Sequence, residues 1–163
     1  MGRQTKVKST DLAYIAGFLD GDGSIMIQLK RRSDTPRGKR LMFTICLYQD
    51  TRHEKPLFWM KQILGIGYIS RRNDGITELR INGYEKVYRI LKELYPHLRF
   101  KKKQAEYIFR ALELLNSKKI NQLTIREKQK IANSLVAARK ETYQSGQKRV
   151  EKLQVDLKEI LKL

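Results

Sequence analysis

Leu12-Ala13-Tyr14-Ile15-Ala16-Gly17-Phe18-Leu19-Asp20-Gly21-Asp22-Gly23-Ser24-Ile25-Met26-Ile27-Gln28-Leu29-Lys30 is the stretch on which the fold turns. Its first eight residues are apolar or small, the composition of a buried helix, and Asp11 stands where an N-cap is expected. Gly21 and Gly23 end that helix. From Ile25 the period changes to two: Ile25, Ile27 and Leu29 take one side of a strand, and Met26, Gln28 and Lys30 the other.

The same switch recurs downstream. Residues 31–40 contain Asp34, Pro36 and Gly38 and form a basic loop. Leu41 to Tyr48 alternates again, with Leu41, Phe43, Ile45 and Leu47 on the core side. A helix is expected from Glu54 to Leu64, with Pro56 in its first turn. Tyr68 to Arg72 and Ile76 to Ile81 read as strands joined at Asn73-Asp74-Gly75, a hairpin turn. Helices are expected over 85–95, 101–115, 124–141 and 148–163. In the last, Val150, Leu153, Leu157 and Ile160 recur at helical spacing.

The order is α-β-β-α-β-β-α and then C-terminal helices, an α+β class. Both hairpins fit one four-stranded antiparallel sheet with helices on one face. The opposite face then carries Gln28, Lys30, Arg32, Thr44, Tyr48, Ser70, Arg72, Glu78 and Arg80. Such a polar, basic face is suited to lying on nucleic acid, and the major groove of B-DNA admits a strand ribbon. For any single residue a solvated surface explains the pattern as well.

Composition narrows the partners. The chain has 163 residues with 40% apolar content, enough for one domain over residues 11–163, preceded by a basic arm over 1–10. Thirty-five Lys and Arg against 17 Asp and Glu give a net charge of +18, which points to a polyanion. No apolar run has membrane-spanning length, and the arm lacks an apolar signal core. One cysteine, Cys46, and two histidines, His53 and His97, exclude an intramolecular disulfide and a cysteine- or histidine-rich metal site. A metal here must be held by oxygen, which suits magnesium, calcium or manganese.

Ala13, Gly17 and Gly21 are four apart and form a stripe that lets two helices approach closely. Close packing within the chain explains such a stripe equally well. At its end, Asp20 and Asp22 stand where an apolar helix breaks, and each carboxylate there is either a metal ligand or a cap for the next turn. An EF-hand loop is excluded by register: starting at Asp20 its sixth and twelfth positions are Ile25 and Arg31, and starting at Asp22 they are Ile27 and Ser33.

The segment Ile15-Ala16-Gly17-Phe18-Leu19-Asp20-Gly21-Asp22-Gly23 resembles the nine-residue motif of the LAGLIDADG homing endonucleases. The adjoining Ser24-Ile25, the element order and the segment Tyr95-Pro96-His97-Leu98-Arg99-Phe100-Lys101-Lys102-Lys103-Gln104-Ala105 resemble that family too, most closely its single-motif algal organelle members. The resemblance implies the homing endonuclease fold, with a curved four-stranded sheet, and a homodimer meeting along the helix that carries Ala13, Gly17, Phe18 and Gly21. It implies that Asp22 and the Gly21 carbonyl bind divalent metal. Magnesium is the expected cofactor, with manganese able to substitute and calcium binding without cleavage. Gln49 matches the motif glutamine that positions water, and Lys101 the lysine near the scissile phosphate, with Lys103 as its alternate. A basic residue four after the glutamine falls on His53, with Arg52 and Lys55 as alternatives.

Such a dimer implies a nearly palindromic DNA target of roughly twenty base pairs, one half-site per subunit. Met26, Met42 and Cys46 join the open-face residues as apolar contacts. Arg32, Arg37, Lys39 and Arg40 either extend along the groove or hold phosphate, and Lys118, Lys119, Arg139 and Lys140 are expected at the DNA backbone, although a solvated helix face explains these four equally well. Two other functions fit the same sequence: an RNA maturase assisting intron splicing, and a non-cleaving DNA-binding regulator. The family resemblance implies a chloroplast or mitochondrion, with the nucleus as the alternative.

Overall fold

Helix α1 (Ser9–Asp22) passes without a loop into strand β1 (Gly23–Arg31). Only glycine fits at the junction, because a Cβ on Gly23 would stand 2.8 Å from the Leu19 Cα. The computed structural model describes residues 7–31, 38–143 and 146–163. Residues 1–6 of the arm expected over 1–10, and the loop residues Arg32 and Arg37, lie outside the described residues, and Ser9 and Thr10 of that arm already belong to α1.

Strand β2 (Lys39–Asp50) returns beside β1, and a short 3₁₀ turn (Thr51–His53) leads to α2 (Lys55–Leu64). Strands β3 (Tyr68–Arg71) and β4 (Ile76–Asn82) form the second hairpin, and α3 (Tyr84–Leu94), α4 (Lys102–Ser117), α5 (Ile125–Lys140) and α6 (Gln147–Leu161) complete the chain. The hairpin turn falls where Asn73-Asp74-Gly75 predicts it. Gly75 has φ +80°, a backbone state that L side chains resist, and Arg72 N donates to Ile76 O at 2.8 Å to close the turn. The sheet is antiparallel in the order β1-β2-β4-β3.

The alternation expected from sequence sorts the two faces correctly. Ile25, Ile27, Leu41, Phe43, Ile45, Leu47, Leu79 and Ile81 are buried with residues of α1 to α4 in one core. Val150, Leu153 and Leu157 of α6 are buried too, so the last helix packs as its spacing predicts. Several boundaries shift by a few residues, and two of the shifts have a clear physical cause. Helix α1 begins at Ser9 rather than after Asp11, which sits in the first turn and there favours the positive end of the helix dipole. Strand β2 is longer than its alternating stretch because pairing with β4 continues past Tyr48, through Gln49 and Asp50, and pairing with β1 starts at Lys39.

Candidate active site

Asp20 and Asp22 are two residues apart and meet opposite environments. Asp20 is buried, and its carboxylate accepts backbone N–H bonds from Arg99 at 2.6 Å, Phe100 at 3.2 Å and Lys101 at 2.9 Å. It thereby staples the segment before α4 to the end of α1. Asp22 is exposed and makes no hydrogen bond or ion pair among the described residues. Among the described residues neither carboxylate caps the next turn: Asp20 is engaged by the distant segment before α4, while Asp22 is left available for a ligand.

Lys101 joins them. Its Nζ donates to the Asp20 carbonyl at 2.5 Å, so the side chain lies against the last turn of α1. Burial makes its ammonium give up a proton more readily than a free lysine's, an effect that the charges of Asp20 and Asp22 oppose. The terminal carbonyls of α1 are then divided among partners. Leu19 O accepts from Gly23 N and Asp20 O from Lys101, while Gly21 O has no partner among the described residues. The Gly21 carbonyl and the Asp22 carboxylate are therefore two free hard oxygen donors at the negative end of a helix dipole, which fits a divalent cation. One chain supplies no more. Among the described residues no three His, Cys, Asp or Glu side chains converge to hold a metal.

The β1–β2 register pairs Gly23 with Leu47, which puts Gln49 at the strand end beside the α1–β1 junction. Its Oε1 accepts from Asp50 N at 2.8 Å, leaving the amide nitrogen uncommitted among the described residues. Beyond it, Arg52 is clamped to Asp50 through Nε and Nη2, and this ion pair holds the Asp50 carboxyl well below the usual carboxylate range. Arg52 is thus engaged, whereas His53 and Lys55 are exposed.

The small stripe faces outward. Ala13, Gly17 and Gly21 are all exposed, and a Cβ built on Gly17 or Gly21 meets nothing within 4 Å. Close packing within the chain, the alternative explanation of the stripe, is thereby excluded among the described residues. Phe18 is half-buried on the same helix, and two exposed aromatic residues that sequence reasoning missed, Tyr14 and Phe100, are 57% and 75% exposed.

The open sheet face carries the expected polar set with several corrections. Met26, Gln28, Met42, Tyr48, Ser70 and Arg80 are half-exposed, and Lys30, Arg40 and Arg72 exposed. Thr44, Cys46 and Glu78, expected to touch bases, are instead buried on the two central strands. Thr44 Oγ1 donates to Asn82 Oδ1 at 2.7 Å, and burial pushes the Cys46 thiol up to about 11. Lys39 turns to the helix side, where its Nζ meets Asp156 at 2.9 Å and Glu159 at 2.6 Å on α6. Arg139 is lodged against edge strand β1, donating from Nη2 to Ile27 O at 2.9 Å, rather than standing free for phosphate. Lys118 is paired with Glu127, while Lys103, Lys119 and Lys140 are exposed. Asn82 and Tyr68 belong to the open face as well, linked by a 3.0 Å hydrogen bond. Tyr68 shares the alternation of Ser70, and Asn82 continues that of Arg80 by one more step.

Residues 15–113 match the family model described as LAGLIDADG endonuclease. The chain is 31% identical over 107 residues to the DNA endonuclease I-CvuI of Chlorella vulgaris, an alignment spanning 66% of each protein. It is 31% identical over 115 residues to the DNA endonuclease I-CreI of Chlamydomonas reinhardtii, spanning 71% of this chain and 70% of that one. The curated relatives are thus matched over about two thirds of their length. The fold is similar to the crystal structure of I-CvuI in complex with its target in the presence of calcium, with a TM-score of 0.72 and 26% identity over 93% of this chain and 95% of that one. A second structure of I-CvuI, with the I-CreI target and magnesium, holds uncleaved DNA and is similar at a TM-score of 0.71, covering 96% of this chain and 99% of that one at 26% identity.

Proposed function

The chain belongs to the LAGLIDADG endonuclease family, and we propose that it is a site-specific, metal-dependent endonuclease that cuts double-stranded DNA as a homodimer. One observation carries this reading: the exposed, unpartnered Asp22 ends an outward-facing stripe of small residues, with Lys101 fixed beside it. Two copies packed along that stripe bring two Asp22 carboxylates to one seam. Paired carboxylates there repel each other and the DNA phosphate, so the arrangement is productive only with cations between them.

Asp22 and the Gly21 carbonyl would hold a divalent ion, with magnesium the working ion, manganese a substitute and calcium supporting binding alone. When bound, such an ion supplies an activated water and relieves charge on the leaving oxygen. Lys101 places a positive charge near the scissile phosphate, where charge develops in the transition state. Asp20 keeps that lysine in place through the backbone of residues 99–101. Gln49 holds the attacking water by its free amide nitrogen, and His53 is the basic group beyond it. The sheet face lies in the major groove and reads one half-site per subunit. The algal origin of two relatives supports an organelle as the site of action.

The test is a cleavage assay on duplexes selected from a random library, with magnesium and with chelator. Asp22→Asn is expected to abolish cutting and retain binding. A variant that still cuts would refute the metal assignment.

A further inference from the structure

Glu78 lies in the middle of the open sheet face, yet it is only 5% exposed. A guanidinium reaches it from each side. Arg72 Nη1 donates to Oε1 at 3.3 Å and Arg80 Nη1 to Oε2 at 2.7 Å. The register explains the arrangement: Glu78 pairs with Tyr48 and Ser70, Arg80 stands one row on, opposite Cys46 and Tyr68, and Arg72 stands one row back, beside Ile76. Asp74 holds Arg72 a second time.

Two arginines and two carboxylates cancel. In a chain of net charge +18, a neutral cluster adds nothing to the general attraction for a polyanion, so its carboxylates serve geometry. Glu78 is itself covered and engaged at both oxygens, which leaves it unable to accept from a cytosine amine, the base contact a free glutamate makes. The guanidiniums keep donors in hand, since arginine has five N–H groups. Among the described residues Arg80 commits only Nη1, leaving its Nε and Nη2 edge open. Such an edge matches the O6 and N7 acceptors of guanine.

We infer that Glu78 is a positioning residue that locks Arg80 and Arg72 as guanine readers, so that each half-site carries two guanines close together. The inference rests on the sheet face being the DNA-reading surface proposed above. Heads that share one carboxylate lie within roughly 7 Å, about two steps of a duplex at ~3.4 Å per step. The two guanines therefore fall within three consecutive base pairs, on either strand.

Random duplexes are selected by binding in calcium and sequenced, for the wild type, Glu78→Gln and Arg80→Lys, with thermal melts of each and cleavage in magnesium measured separately. The wild type is expected to enrich two such guanines per half-site. Glu78→Gln lowers guanine preference at both positions about tenfold, yet binds random duplex more tightly and with a steeper salt dependence, because the cluster gains one positive charge. Arg80→Lys keeps the charge, loses the fork and relaxes one position only. A merely structural Glu78 would instead weaken binding to all DNA and leave the preference intact. Wild-type selection without the paired guanines overturns the inference, as does an unchanged preference in a Glu78→Gln protein that melts like the wild type. Should Glu78→Gln not fold, an unchanged preference in Arg80→Lys overturns it. Guanine-bearing duplexes that are bound but never cut would refute the endonuclease reading and leave this one standing.

Discussion

Replacing Asp20 by Asn separates the two motif carboxylates by a stability measurement alone. The Asp20 Oδ2 takes two backbone donors, Arg99 N and Phe100 N, and Oδ1 takes Lys101 N. An amide has one acceptor oxygen, so at best Asn serves the first two and sets its NH₂ against the third. One charge-assisted bond is lost and the other two are weakened to neutral ones, each charged bond contributing about 1.5–3 kcal/mol. The expected loss is about 3 kcal/mol, a large part of a stability of about 5–15 kcal/mol. For a chain of this size that lowers Tm by roughly 6–12 °C. Asp22→Asn is the control: the side chain is exposed and unpaired, so its melt should stay within about 2 °C of the wild type. Both are tracked by circular dichroism in chelator, which removes any metal contribution. Asp20→Asn should also cleave more slowly, since the segment carrying Lys101 is released. Equal melting of Asp20→Asn and the wild type would refute the stapling argument.

Other features yield their own tests. Gly17→Leu adds a side chain where the chain itself has nothing within 4 Å, so the protein should fold and gain about 0.5–1 kcal/mol of helix propensity. Sedimentation on a target duplex should then find one copy bound where the wild type binds as a dimer, and cleavage should be lost; a dimeric, active Gly17→Leu would move the interface elsewhere. At the start of α5, the Lys118 ammonium and then the Thr124 N–H hold the Glu127 carboxyl down to about 2. Its folded value lies below its unfolded value, so its stabilisation is full above about pH 4.5 and fades toward pH 2. Melts of Glu127→Gln should lie below the wild type at pH 6 and converge with it near pH 2, whereas a gap independent of pH would contradict the linkage. Cys46 is fully buried, and its thiol is pushed up to about 11, chiefly by burial. A thiol reagent at pH 8 should label it at the rate of unfolding in the native protein and at once in denaturant; rapid native labelling would show that the sheet face opens.

The parts of the fold that rest on local periodicity were legible. The break at Gly23, the turn at Gly75 and the inward sides of the strands all depend on residues within a few positions of one another. What the sequence hid depends on partners far along the chain. Lys39 sits in a basic run that reads as a phosphate contact, but its carboxylates are 117 and 120 residues away on α6. Asp20 and Asp22 look equivalent until the donors at 99–101 arrive, about 80 residues later. Alternation assigned Thr44, Cys46 and Glu78 to the open face, where they do lie. It carries no information on shading: all three are buried, Thr44 bonded to Asn82 and Gln28, and Glu78 to Arg72 and Arg80.

The same distinction bears on the chemistry. Among the described residues one chain brings a single free carboxylate and a single free carbonyl to the end of α1, too few oxygens for an ion that takes six or more ligands. The remainder must come from a second copy, from phosphate and from water. Two copies each carrying +18 repel, and the stripe proposed to join them offers little more than close contact of small side chains. DNA removes that repulsion by neutralising both copies, and it supplies the missing oxygens at the seam. In the proposed dimer, assembly and catalysis share one set of charges, which accounts for Asp22 standing unpaired among the described residues: a partner for Asp22 within the protomer would stabilise the chain and occupy the oxygen that a shared centre requires.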